Sequence, residues 1–399
     1  MSKCKSCKLI KVLITISVGL LSMTNLQSQE IDPISKYTLA ISAIETNRDS
    51  YTNNLSELYL GLGKALIDSK KYLEAKNALE QGVQIERINN GLDSLSQSPF
   101  LLSLADTHSQ LQNWKQARIA LDDFYNIHQQ RYDDTDPFML PVLDQLLEWF
   151  LTTYKLRTAT GGYENLVVAE RIGERINKLL PNDTDPQQSI VRYRRLAYLH
   201  YMIAQHLQRY GNNHSTGISF TTTDSSTSNS LRTTTYLHFE RGKDALEQVI
   251  EILVQQKDTT SQQQASAIAQ LGDWYLFFEH RQSAKKAYRL ATETLYKTKG
   301  TEAVNPKLFD KPSIITFNSN SESDSAASER KLELSIMVST SGKVSDVEVI
   351  KSDYQLSQKQ LYNLKRNLRY IKLRPKLING EPVKAAHRDF FPISLIERW

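Results

Sequence analysis

Apolar residues recur with a helical period through the first three quarters of this chain and with a period of two near its end. One arrangement returns in the helical part. A large residue is followed by leucine three positions on, a small residue at four, a large or aromatic one at seven, alanine at sixteen, a large residue at twenty and a small one at twenty-three. Tyr59, Leu62, Gly63, Leu66, Ala75, Leu79 and Gly82 fill these slots, as do Ile268, Leu271, Gly272, Tyr275, Ala284, Tyr288 and Ala291. Leu101, Leu104, Ala105, His108, Ala117 and Leu121 fit too, with Phe124 in the last, small slot. Offsets of three, four and seven place side chains on one helix face. The pattern predicts helix pairs in which small residues let the first helix approach the second, while large ones fill the space between neighbouring pairs.

Two looser units follow the same scheme. Leu143, Leu146, Leu147 and Phe150 pair with Ala169, Gly173 and Ile176; Tyr193, Leu196, Ala197 and His200 pair with Ala245, Val249 and Ile252. The scheme resembles the tetratricopeptide repeat. The five alanines are 42, 52, 76 and 39 positions apart, so every unit is stretched. Residues 211–235, Ser/Thr-rich and without apolar period, read as a disordered insert inside one unit. Asp136-Pro137 and Asp185-Pro186 each place a capping acid before a proline at a helix start. They lack the glycine and distal glutamate of a calcium loop. The resemblance implies a surface lined by first-helix residues pointing away from the core, among them Asn54, Glu57, Lys64, Asp106, Gln110, Gln270, Asp273 and Glu279.

The final seventy residues change period. Leu332, Leu334, Ile336 and Val338 alternate with polar positions, and 344–350 form a second strand after the turn Ser341-Gly342-Lys343. Val344 is out of phase with Val347 and Val349, which predicts a bulge or the hairpin end. Ser357 and Gln360 have capping-box spacing ahead of Leu361, Leu364 and Leu368. Asn379-Gly380 predicts a tight hairpin, and Pro392 sends the last strand, 385–396, to a sheet edge. With Gly342, Val344, Leu373, Arg374, Pro375, Asn379, Gly380, Pro382 and Val383, residues 330–396 resemble the C-terminal domain of TonB-type energy transducers. That resemblance implies pairing of a sheet edge with an extended segment of an outer-membrane transporter. The chain departs from the family by carrying a helical array in place of a Pro-rich spacer.

Composition narrows the setting. Residues 330–399 hold fourteen Lys/Arg against seven Asp/Glu, whereas 29–329 carry a net charge of about −6, so the array is acidic and the tail basic. Four lysines precede a twelve-residue apolar run at 12–23, the layout of an export leader ending near Ser28. The run is shorter than the ~20 residues a membrane span needs. Both cysteines, Cys4 and Cys7, fall inside that leader. No metal spacing, nucleophile elbow, phosphate loop or nucleic-acid signature occurs, so neither catalysis, cofactor nor metal is expected.

The expected fold is an all-α tetratricopeptide-like helical repeat array followed by a small α+β TonB C-terminal-like domain. Its parts are a signal peptide at 1–28, repeats at 29–304, a linker at 305–329 with a short strand at 314–317, and the tail domain at 330–399. The expected function is a periplasmic adaptor for protein or peptide partners such as outer-membrane transporters or envelope proteins, with no nucleic acid or small-molecule substrate. The alternative is an inner-membrane-anchored energy transducer coupling proton-motive force to outer-membrane transport. A cell-envelope or peptidoglycan-associated structural protein is a third class.

Overall fold

The structure is a computed structural model that describes residues 32–46, 53–157, 162–210, 235–297, 308–315, 317, 331–352, 356–368 and 371–392. The expected leader, most of the insert and residues 393–399 lie outside them. The chain forms two compact units, 1–120 and 121–399.

The first unit holds α1 (Pro33–Thr46), α2 (Asn53–Asp68), α3 (Tyr72–Asn90), α4 (Ser98–Gln110) and the start of α5 (Trp114–Gln129). Helix α1 has no counterpart among the repeat slots read from the sequence; it packs on α2 with Ile41 against Leu55 and Ile85. Gly63 and Leu79 occupy matching slots of α2 and α3, and a Cβ on Gly63 would stand 2.6 Å from the Leu79 side chain.

The second unit continues with α6 (Leu140–Arg157), α7 (Tyr163–Leu179), α8 (Pro186–Tyr210), α9 (Thr235–Gln255), α10 (Ser261–Phe277) and α11 (Arg281–Lys297). Thr235, counted above as the end of the insert, already opens α9. The pairs α6/α7, α8/α9 and α10/α11 pack together. Asp136 accepts from the Phe138 N–H at 2.9 Å, and Asp185 from the Gln187 N–H at 2.9 Å, so both acids cap as expected.

The three closest matches to the repeat pattern share one inter-helix turn. Lys70, Gln112 and Glu279 each adopt the left-handed conformation, at φ of 59°, 59° and 65°. The next residue's N–H then reaches back five positions, as in Asn113 to the His108 carbonyl at 2.8 Å and His280 to the Tyr275 carbonyl at 2.8 Å. Each left-handed residue stands five positions ahead of a signature alanine, Ala75, Ala117 or Ala284, which bonds back to start the second helix.

The tail comprises β1 (Ser313–Ile314), β2 (Lys331–Val338), β3 (Val344–Ser352), α12 (Gln358–Leu368), β4 (Leu373–Arg374), β5 (Lys376–Ile378), β6 (Glu381–Val383) and β7 (Ala385–Pro392). The main sheet is antiparallel in the order β3-β2-β7. Leu332, Leu334, Ile336 and Val338 meet Leu364 and Leu368 of α12, together with Phe391 of β7, in one core. The Val344 phase break is a bulge: the register shifts opposite Ser335 and Met337, and Asp346 takes φ of 52°. This lets Val344, Val347 and Val349 all pack on that core. Ser357 and Gln360 form the capping box. Asn379 and Gly380, at φ of 52° and 79°, turn β5 into β6.

Candidate functional site

The described part of the expected linker is packed structure. Strand β1, two residues long, pairs with β4, so the expected strand at 314–317 starts one residue earlier and ends sooner. The Phe309 carbonyl accepts from the Leu377 N–H at 3.0 Å. Phe317 stacks edge-on against Trp274 of α10 at 5.1 Å and meets Tyr201 of α8 at 5.0 Å. Apolar side chains in an otherwise polar stretch bury themselves, which ties the tail to the last helices.

A buried ion pair fixes the same junction. Arg374 on β4 donates from Nε to Asp273 Oδ1 at 2.9 Å and from Nη2 to Oδ2 at 2.5 Å. The Tyr288 hydroxyl on α11 adds a third donor to Asp273 at 2.9 Å. Asp273 is 2 % exposed. Burial works against the guanidinium's charge, and Asp273 outweighs it, holding Arg374 above its ordinary pKa. Burial first, and Asp273 beside it, push the Tyr288 hydroxyl well above its usual value. Next to this pair, Lys372 donates to the Phe277 carbonyl at 3.0 Å and to Glu279 at 2.7 Å, a cation at the C-terminus of α10. Glu381, at the β5–β6 turn, bridges Lys285 at 2.7 Å and Arg289 at 2.6 Å of α11.

Asp273 is therefore buried and not a solvated lining position, whereas Glu279 is exposed and pairs with Lys372. Both engage the tail, because basic residues of the tail meet acids at the end of the array. Asn54, Glu57, Lys64, Asp106 and Gln110 are exposed, and Gln270 is half-buried.

The repeat-slot residues divide into buried and half-buried sets. Gly63, Ala75, Leu104, Ala117, Leu271, Gly272 and Ala284 are buried, whereas Tyr59, Leu62 and Tyr275 are half-buried. Tyr59 donates to Glu45 of α1 at 2.7 Å, and burial followed by that bond raises its hydroxyl to about 12. Of the tail residues, Gly342 sits at φ of 71° with its carbonyl accepting from Leu373 at 3.0 Å, Val344 and Pro375 are buried, and Val383 pairs with Lys376.

Among the described residues His108, His200, His206, His238 and His387 are buried. His200 and His238 approach through their Nδ1 atoms at 3.1 Å, and burial holds His200 well below its usual pKa. Among the described residues no three His, Cys, Asp or Glu side chains are grouped to hold a metal ion, and no helix is long and apolar enough to cross a membrane.

The open feature of the tail is β7. It follows β2 for eight residues without a register shift, and its other edge pairs with no strand among the described residues. The opposite edge strand, β3, carries two register shifts. Such interruptions blunt an edge against pairing, whereas a regular edge presents its N–H and C=O groups in series.

No protein-family model matches this chain, and no curated protein matches it in sequence. Among solved structures it is similar to kinesin light chain-like, nearly identical TPR-like repeats from Podosopora anserina, at 17% identity and a TM-score of 0.38 over 62% of this chain and 98% of that one. It is also similar to BtubC (BKLC) from P. vanneervenii, at 10% identity and a TM-score of 0.40 over 68% of this chain and 92% of that one. At such scores the helical repeat rests on the helix pairing described above and not on these likenesses.

Proposed function

We propose that this chain is a non-catalytic periplasmic adaptor: the helical array holds one protein partner, and the tail takes an extended segment of another along β7. The regular edge of β7, unpaired among the described residues, carries this reading, because β-augmentation needs such an edge. The TonB-like assignment of the tail is supported by the sheet order β3-β2-β7, with α12 between β3 and β7 in sequence. It is supported further by Gly342, Asn379 and Gly380 at the turns where the resemblance needs them. The partner of β7 is an outer-membrane transporter or another envelope protein.

A photo-crosslinking residue in place of Phe390, exposed on β7, tests the edge. The expected result is a covalent adduct with an extended segment of an envelope protein in the cells that make this chain. Absence of any protein adduct would sink the edge-pairing role. N-terminal sequencing tests export: a mature chain starting near Gln29 supports the periplasmic adaptor and excludes an anchored form.

A further inference from the structure

A groove of 490 Å³ opens between α9, α10 and α11. Its floor is Ile268, Leu271 and Tyr275, three slots whose side chains were expected to fill the space between neighbouring helix pairs. Leu290 of α11 closes one side at 47 % exposure. Glu247 and Glu251 of α9 stand on the other, with Lys286 across from them on α11.

Asp244, Glu247 and Glu251 are spaced by three and four, so they form an acidic stripe on one face of α9. Glu247 has no ion-pair partner among the described residues, and burial raises its carboxyl pKa. The oxygens of Glu251 receive only the side-chain amides of Gln248 and Gln255 among the described residues. Asp244, just outside the groove's lining, is exposed and meets the neighbouring Lys243 at 3.5 Å, a surface pair of little strength that leaves the stripe able to meet incoming cations.

The tail carries the complement. On α12, Lys359, Tyr362 and Arg366 repeat the same spacing of three and four, and Lys365 lies beside them. All four are exposed, Tyr362 at 67 %, and the three cations make no ion pair among the described residues. Seven residues of helix span about 10 Å on either stripe, so the outer charges match in an antiparallel approach. The aromatic ring between the cations is the right kind of anchor for an apolar groove. The Arg374–Asp273 clamp fixes the tail against α10, so the α12 that reaches the groove comes from another molecule.

We infer that a second copy of this chain docks its α12 in the α9–α11 groove, with Tyr362 on Leu271 and Leu290, and Lys359 and Arg366 on Glu251 and Asp244. The contact is heterologous, groove of one copy to helix of the next, and joins adaptors in series. It goes beyond the adaptor reading, and neither α12 nor the groove includes the β7 edge, so the two stand or fall separately.

The test is sedimentation equilibrium of the chain, purified in the form the cell makes, over a hundredfold concentration range at low and high salt. The expected result is a mass that rises above the monomer with concentration and falls back at high salt. Tyr362→Ser and Glu251→Lys, both at exposed positions, should each weaken association at least tenfold with the melting temperature unchanged. Combining Glu251→Lys with Lys359→Glu should restore it. A monomer at every concentration, association indifferent to these changes, or failure of the paired reversal would each overturn the inference. So would a mass increase that appears only with a different protein added.

Discussion

Asp273 and Arg374 lie 101 residues apart in sequence and meet in a two-pronged ion pair, 2.9 and 2.5 Å, inside the second unit. Both Asp273 oxygens face the guanidinium fork, the geometry that makes arginine–carboxylate pairs strong and directional. Replacing Arg374 with Met strands a buried carboxylate, at an expected cost of about 3–5 kcal/mol. Adding Asp273→Leu removes that charge, and most of the loss should return. Urea unfolding of the wild type, the single variant and the double variant checks this; a double variant no better than the single one contradicts it.

The left-handed turn residues predict a gain. Gln112 holds φ of 59° with a side chain that disfavours it, so Gln112→Gly should raise stability by about 0.5–1 kcal/mol after the added flexibility of the unfolded chain is subtracted. Glu279→Gly should gain less, since Glu279 also holds Lys372 at 2.7 Å. Thermal melts of the two variants side by side give the comparison.

Close approach at the small slots predicts an unequal pair of losses. A Cβ on Gly272 would stand 2.5 Å from the Tyr288 ring, which its hydroxyl bond to Asp273 restrains. Gly272→Ala should therefore cost about 1–3 kcal/mol. Gly63→Ala meets Cγ and Cδ2 of Leu79, an aliphatic side chain that no hydrogen bond restrains, so its cost should be smaller. Equal costs in chemical denaturation would show that the tyrosine is not pinned.

Acid should loosen the first unit through Glu86. This carboxylate is buried and accepts from Ser56, Ser96 and Asn90. Burial alone would raise its pKa, but the three hydrogen bonds together lower it. A depressed carboxylate pKa adds stability above the unfolded value of about 4.3, lost as pH falls toward the folded value. Glu86→Gln should lower stability near neutral pH by about 1–3 kcal/mol and flatten the acid limb of the first unit. Unfolding followed from pH 7 to pH 3 checks both.

The helix pairs were legible because small and large residues recur at fixed offsets, and Gly63 against Leu79 shows those offsets acting as contacts. Helix α1 was not, since Ile41 packs without a second helix of its own to complete the pattern. The hairpin at Asn379-Gly380 announced itself through residues that tolerate positive φ. The turns at Lys70, Gln112 and Glu279 use residues with no turn preference, so composition hid them; their constant distance of five from a signature alanine was the available signal. Asp273 read as a solvated helix residue and Arg374 as part of a strand motif. Nothing local to either names the other, although the opposite charges of array and tail hinted at such a meeting.

The junction built by Phe317, Arg374 and Lys372 bears on where the chain can be cut. A fragment ending before residue 305 would bare the Trp274 face, the Asp273 carboxylate and the last carbonyls of α10 together. Stacked repeats need a polar terminal unit to stay soluble, and here the β-bearing tail fills that place. Array and tail are therefore expected to precipitate or unravel when expressed apart, and full-length variants are the sound way to divide their labour.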